Sequence, residues 1–549
     1  MIVWMVAGTL LLAADPPAIK FDDATAASGL SLTTTSGRDP ISQIVEAKGG
    51  GIVLIDFDED GDPDLFVPNG ATLDAPSAGP GARLFANLGG LVFRDVTATS
   101  GIDHHRWSFG CAVGDVDADG HEDIYIACLG PDHLFRGLGG GKFVDATEAA
   151  GLGVDNDFST SAAFADFDGD GDLDLHVTNY LVYDPSKPVP ATHFRGAEVM
   201  GGPRGLVPEA DRLHRNDGGR FVDVSDESGI RSIPPAFGLN AVAADFTDDG
   251  KIDLFVANDS MPNALFENLG GMRFRDVAAR LGCATNIDGA AQANMGIAVG
   301  DVNSDGRPDI LSTVFSDDTN TLYASTAAGF FNDASSRYGV GVPSRTLCGW
   351  AAAFLDLDHD ADEDLFIVNG HVYPQATREL MNSTCAQPKL VMRRDGQRFV
   401  PVADESQPWL TSMRRDRSAV FADFDIDGDL DAVVTGLNEP LQVLRNRHDA
   451  KDDWVEVRLD DALSKGNRRG VGARIELVQG ERRQTRFIVG GGPFQSNQWP
   501  IAHFGVGPAP VGQDVPIEVR VTWPDGAKST APVQRGRQTT VIRAGRDAP

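Results

Sequence analysis

A chain of 549 residues exceeds what one ordinary core organises, so it holds several domains or one large repeat architecture. Its 62 glycines suit a turn-rich all-β protein better than a helical bundle. A formal net charge of −33 argues against nucleic acid and anionic membranes as partners, and is compatible with bound cations.

Residues 1–14, MIVWMVAGTLLLAA, are apolar but too short to span a bilayer. Their length and the Ala13-Ala14 end suit the hydrophobic region of a signal peptide, although no basic residues precede it. A start codon set within a longer leader would look the same. The mature chain is therefore expected to be exported, to the periplasm or the extracellular space, without a membrane span.

From residue 56 onward an acidic nine-residue motif occurs seven times: DFDEDGDPD at 56, DVDADGHED at 115, DFDGDGDLD at 166, DFTDDGKID at 245, DVNSDGRPD at 301, DLDHDADED at 356 and DFDIDGDLD at 423. A period of about 50–60 residues indicates a propeller or a solenoid. A second motif runs out of phase, a Phe strand at 21, 93, 143, 221, 274, 331 and 399. A third, RLFANLGG at 83 and its relatives, lies between them. Each unit thus offers four short strands, and seven such units describe a seven-bladed β-propeller. The first Phe strand precedes the first cluster and none follows the seventh. Phe21 should therefore supply the outer strand of the last blade and hide two sheet edges. The 79-residue third spacing holds a Pro- and Gly-rich insert at 179–211, read as a long surface loop.

The clusters have the chemistry of a loop that wraps a hard cation. Ca²⁺ takes six to eight oxygens at about 2.3–2.6 Å. Position one is Asp56, Asp115, Asp166, Asp245, Asp301, Asp356 and Asp423. Position three is Asp58, Asp117, Asp168, Thr247, Asn303, Asp358 and Asp425, and position five is Asp60, Asp119, Asp170, Asp249, Asp305, Asp360 and Asp427. Position seven, expected to offer only its backbone carbonyl, drifts: Asp62, His121, Asp172, Lys251, Arg307, Asp362 and Asp429. Position nine closes the cage with Asp64, Asp123, Asp174, Asp253, Asp309, Asp364 and Asp431. An EF-hand would need Glu at position twelve between helices. Here that position is Val67, Ile126, Val177, Val256, Ser312, Ile367 and Val434, and the flanks are strands. A single cluster could equally be a solvated acidic turn; seven sharing positions one, five and nine favour up to seven Ca²⁺, one per blade. Thr247 and Asn303 remove a charge from loops four and five, and Ala361 replaces the glycine of loop six. Loops one, two, three and seven are expected to bind most tightly.

The five cysteines include no CxxC pair, which argues against a zinc ribbon or a redox dithiol. Cys111 and Cys128 flank the second cluster. Either they face each other across a hairpin as a disulfide, or they are two small buried residues. Residues 453–544 alternate as strands (WVEVRL, ARIELV, TRFIVG, IEVRVTW, TTVIRA) and read as a small β-sandwich or barrel-like domain after a propeller at 15–448.

The acidic loops resemble the FG-GAP or VCBS repeats of integrin-α-type propellers. NMGIAVGDVNSDG, FSDDTNTLY, GWAAAFLDLDHD and NGHVYP are similar to the cartilage acidic protein and ASPIC/UnbV group. NRRGVGARIELVQG (467–480), GGGPFQSNQ (490–498), AHFGVG and VTWPDG resemble the UnbV-type domain of that group. The departures are Ala361, and QSNQ where the group shows a Ser-Gln pair in the opposite order.

No GxSxG elbow or HExxH motif occurs, and GLGGGKF (137–143) lacks the spacing and hydroxyl residue of a phosphate loop. His371 in NGHVYP reads as a turn residue satisfied by backbone. Two functions remain. One is a secreted, monomeric calcium-stabilised protein that binds an extracellular protein or glycan. The other is an extracellular carbohydrate-active lyase or hydrolase with a propeller pocket. Without a visible nucleophile or base, the binding protein is favoured.

Overall fold

Small and β-branched residues precede each acidic loop, and in the structure they form the innermost strand of a four-stranded sheet. The computed structural model describes residues 19–404, 406–448, 453–507 and 515–543. The expected signal peptide at 1–14 lies outside the described residues. The first sheet runs Val53–Ile55, Asp64–Val67, Arg83–Asn87 and Phe93–Asp95, each strand antiparallel to the next. Six more sheets follow the same path, with innermost strands Ser108–Gly114, Ser159–Ala165, Gly238–Ala244, Asn294–Gly300, Gly349–Leu355 and Asp416–Ala422. In the seventh, the outer strand is Phe21–Asp23, with Phe21 opposite Asn446 and Asp23 opposite Leu444.

Successive side chains of a strand face opposite ways, and here both faces are buried. Leu65 and Val67 pack with Val420 and Val433 of the seventh sheet, while Phe66 packs with Ile124 and Ile126 of the second. Similar clusters join every successive pair of sheets, so the sheets close into a ring. The Asn that ends the third strand adds a polar latch. Asn87, Asn216, Asn268 and Asn446 each donate from Nδ2 to the carbonyl at position two of the preceding sheet's loop: Phe424, Val116, Phe167 and Leu357. Asn268 also donates to Ile252 O at 2.9 Å. Asn268→Ala leaves two buried carbonyls without these donors, and should cost about 3 kcal/mol in denaturant titration. A loss below about 0.5 kcal/mol would remove the latch from the account.

Of the two readings left open for the cysteines the structure shows the second: Cys111 lies opposite Ile126 and Cys128 opposite Ser108, and both thiols are free and buried. One sequence reading is corrected. The 179–211 insert is more than a surface loop. It contains a hairpin, Thr192–Phe194 with Ala197–Val199, and buries Val199 and Met200.

The C-terminal module has two sheets. One joins Ile501–Gly505, Trp454–Asp461 and Arg537–Arg543; the other joins Arg482–Phe487, Arg474–Gln479, Ile517–Thr522 and Lys528–Val533. Val455, Val457, Ile475, Leu477, Val519 and Trp523 fill the space between them.

Candidate metal loops and the module that covers them

Each acidic loop folds around its own carboxylates. The Asp at position one accepts the backbone N–H of position six: Gly61, Gly120, Gly171, Gly250, Gly306, Ala361 and Gly428. Position six is left-handed throughout, from φ 75° at Ala361 to 97° at Gly428. Ala361 therefore takes the same turn as glycine, at a conformational cost. Position four is left-handed as well, at Glu59, Ala118, Gly169, Asp248, Ser304, His359 and Ile426, a regularity that such varied side chains conceal. The Asp at position nine opens the second strand and is tied to backbone. Asp64 accepts from Phe57 N and Asn87 N, and Asp174 from Phe167 N and Asn216 N.

Five loops bring three carboxylate oxygens within 4.8 Å of one another: Asp56, Asp58 and Asp60; Asp115, Asp117 and Asp123; Asp166, Asp168 and Asp170; Asp356, Asp358 and Asp360; Asp423, Asp425 and Asp431. Loops four and five, where Thr247 and Asn303 stand at position three, do not. Loop six gathers its acids despite Ala361. Several buried oxygens in these loops have no hydrogen-bond partner: Asp117 Oδ1, Asp425 Oδ1, Thr247 Oγ1, Asp172 Oδ1, Asp356 Oδ1 and both oxygens of Asp358. Buried, convergent and unpartnered oxygens fit a hard cation such as Ca²⁺.

Burial raises the position-nine carboxyls, Asp64 to about 9, Asp123, Asp174 and Asp253 to about 8, and Asp309 to about 7. Asp364 and Asp431 rise well above the usual range for the same reason. Asp358 is pushed to about 7 by burial and then by neighbouring Asp360. A positive charge in the loop would oppose these shifts.

The C-terminal module sits over this same end of the ring. Residues 453–549 carry 14 Lys and Arg against 10 Asp and Glu, in a chain of net charge −33. Arg458 pairs with Asp56 at 3.1 Å, Lys465 with Asp170 at 2.9 Å, Arg474 with Asp248 at 3.3 Å, and Arg469 with Glu122 at 3.2 Å. The grip on loop backbone is closer still. Gly171 O accepts from Lys465 N and Gly466 N, Asp360 O from Arg482, His359 O from Gly507 N and Gly428 O from His503 Nε2. Gly505 N donates to Asp356 Oδ2 at 2.9 Å.

One segment goes deeper. Residues 490–498, GGGPFQSNQ, enter the channel and touch the innermost strand of every sheet. Ile52 N donates to Ser496 Oγ, Asn497 Nδ2 to Val113 O, Asn240 Nδ2 to Gly492 O, and Ile297 N to Pro493 O. Ser418 Oγ bonds Phe494 O, and the Phe494 ring lies 4.9 Å from that of Trp350. A Cβ on Gly490 would stand 2.2 Å from Phe164 O, so the backbone approaches too closely for any side chain. Gly490 and Gly491 also pair with Ala243 and Val242 as a fifth strand of the fourth sheet. The sequence reading missed this plug; the GGG run was its one local signal.

His371 is fully buried. Its Nδ1 accepts from Tyr373 N at 3.0 Å, and its Nε2 lies 2.9 Å from Ser316 Oγ. Among the described residues no helix is long and apolar enough to cross a membrane.

Residues 56–126, 115–177, 245–312 and 301–367 match the FG-GAP-like repeat family, and residues 463–549 match the ASPIC and UnbV family. Neither is named for a catalysed reaction. The chain is 26% identical over 527 residues to cartilage acidic protein 1 of Xenopus tropicalis, covering 90% of this chain and 73% of that one. The Homo sapiens protein of the same name is 26% identical over 520 residues, covering 90% and 71%. The solved structure of YCF48 bound to D1 peptide aligns at a TM-score of 0.40 and 9% identity, covering 80% of this chain and 99% of that one. The chain is thus an all-β protein of FG-GAP-like repeats followed by an ASPIC and UnbV domain, similar along 90% of its length to cartilage acidic protein 1.

Proposed function

We propose that this is an exported calcium-binding propeller that acts as an extracellular binding protein, toward a protein or a glycan, as a single copy. The propeller occupies 15–448 and the module 453–544. Up to seven Ca²⁺ ions lie in the loops, held by the side chains of positions one, three and five, the carbonyl of position seven and the carboxylate of position nine. The ions fasten the loops on which the module rests. That leaves the opposite end of the ring for a partner. The observation that carries this reading is the set of buried loop oxygens without a partner, above all Asp358.

The test is calcium titration by calorimetry at pH 6 and pH 8. In the metal-free chain the position-nine acids hold protons up to pH 7–9, whereas in the unfolded chain they release them near 4. Across that window the folded state binds more protons than the unfolded one, so metal-free stability falls as pH rises. Calcium must displace those protons. Its affinity is expected to rise by about tenfold or more from pH 6 to pH 8, with Mg²⁺ binding more weakly. No calcium binding at pH 8 would reduce the loops to acidic turns.

A further inference from the structure

A cavity of about 700 Å³ opens at the end of the ring away from the acidic loops. Those loops follow the C-terminal ends of the innermost strands. The cavity is lined instead from the other ends: Lys48 precedes the first innermost strand, and Met295 and Trp350 lie at the starts of the fifth and sixth. The 179–211 insert supplies its outer wall. Behind Trp350 stands Phe494 of the plug, so the cavity is the blind end of the closed channel.

Its polar groups are arranged for a ligand. Lys48 is 3% exposed, and its ammonium meets Tyr180 OH at 3.0 Å and Asp259 Oδ2 at 3.5 Å. An ammonium has three hydrogens, and the third has no acceptor among the described residues. His371 accepts at Nδ1 from Tyr373 N, so the proton of its neutral ring is on Nε2 and is donated to Ser316 Oγ. The hydroxyl hydrogen of Ser316 is then left without a protein acceptor among the described residues. Asp259 stands beside Lys48 as an acceptor. Phe194, Phe315 and Tyr373 form a half-buried cluster of rings with centroids 5.6–6.0 Å apart. Lys48 is matched by Asp259, and Asp317 by Arg195 at 2.5 Å. Arg204 and Asp318 also line the cavity, so Lys48, Arg195 and Arg204 balance Asp259, Asp317 and Asp318, and no one sign of charge dominates.

From this geometry we infer that the cavity is a binding site for a neutral saccharide of one or two rings. A sugar hydroxyl both donates and accepts, which suits Lys48, Ser316 and Asp259 together. The apolar C–H face of a sugar ring suits the aromatic trio. This deepens the binding-protein reading and rests on it.

The test uses the mature full-length chain with Ca²⁺. Ligand-observed NMR is run against glucose, galactose, mannose, xylose, N-acetylglucosamine and their common disaccharides, alongside an array presenting the same sugars at glycan ends. At least one sugar is expected to bind. Binding in both formats makes the ligand a chain end, and binding in solution alone makes it a free sugar; each supports the site. Ala191→Trp, an exposed change in the insert wall, should block the cavity with melting unchanged; Ser316→Ala should weaken binding by more than tenfold and lower melting, since it also takes the acceptor from buried His371 Nε2. Should Ser316→Ala fail to fold, Ala191→Trp decides alone. The proposal is overturned if no sugar binds in either format, or if Ala191→Trp leaves binding intact. A chain that binds Ca²⁺ but no sugar loses the cavity assignment only. One that binds sugar but no Ca²⁺ loses the metal reading only.

Discussion

Stripping calcium from the intact chain is expected to lower its melting temperature by more than about 10 °C and to loosen the C-terminal module where it rests on the loops, its plug staying in the channel. A site saturated at about a hundred times its dissociation constant contributes about 2.7 kcal/mol. Five loops gather three carboxylates each, so even partial loading gives a large sum. Loosening follows from what the module holds at the loops. Its contacts at Gly171 O, Asp360 O, His359 O and Gly428 O are to loop backbone, and exist only while the loops keep their turns. Without a cation the carboxylates repel, the turns open and the footing is lost, although the bare charge still attracts Arg458 and Lys465. Scanning calorimetry and small-angle scattering in EDTA, in Ca²⁺ and in equal Mg²⁺ read both effects. An identical melting curve and scattering profile in all three conditions would remove the metal from the account.

Phe494→Ala should produce the next largest effect. The ring is fully buried against Trp350 at the foot of the plug, and truncating such a side chain costs about 3–5 kcal/mol. Its readout is specific. The amides of Ile52 and Ile297 are protected by Ser496 Oγ and Pro493 O of the plug, whereas neighbouring strands protect one another. Hydrogen exchange at Ile52 and Ile297 should accelerate while the sheet interior stays slow. Retained protection at both amides with unchanged melting would show that the plug is held by something other than this ring.

The sequence disclosed what repeats and hid what occurs once. Seven copies of an Asp pattern exposed the loops, and the phase of the Phe motif placed Phe21 beside the last sheet. The plug has no such help. GGGPFQSNQ carries neither helical nor strand periodicity, and its partners, such as Ser418 and Asn240, lie far away in the chain. The insert failed for the same reason: its Pro and Gly content signals turns but not the hairpin or the wall it builds. Within the loops, sequence flagged glycine at position six because one residue type dominates there. It missed the left-handed position four, where Glu59, His359 and Ile426 share a backbone and no chemistry. Ala361 looked damaging because a Cβ opposes φ 75°, yet the buried acids around it still converge. The cysteine pair stayed open because spacing does not give register: Cys111 faces Ile126, two positions short of Cys128.

The strand at Phe21–Asp23 has a consequence for the order of assembly. Its partner strand, Gln442–Asn446, emerges from the ribosome more than four hundred residues later. Until then the ring has two open edges, and the earliest segment waits for the latest. Thermodynamically the delay matters little, since lengthening a closed loop fourfold costs only about 1 kcal/mol of chain entropy. Kinetically it makes the last sheet the seam. The unfinished ring offers unpaired strand edges to any neighbour, so crowded synthesis would favour exchange of the first strand between copies over misfolding within one.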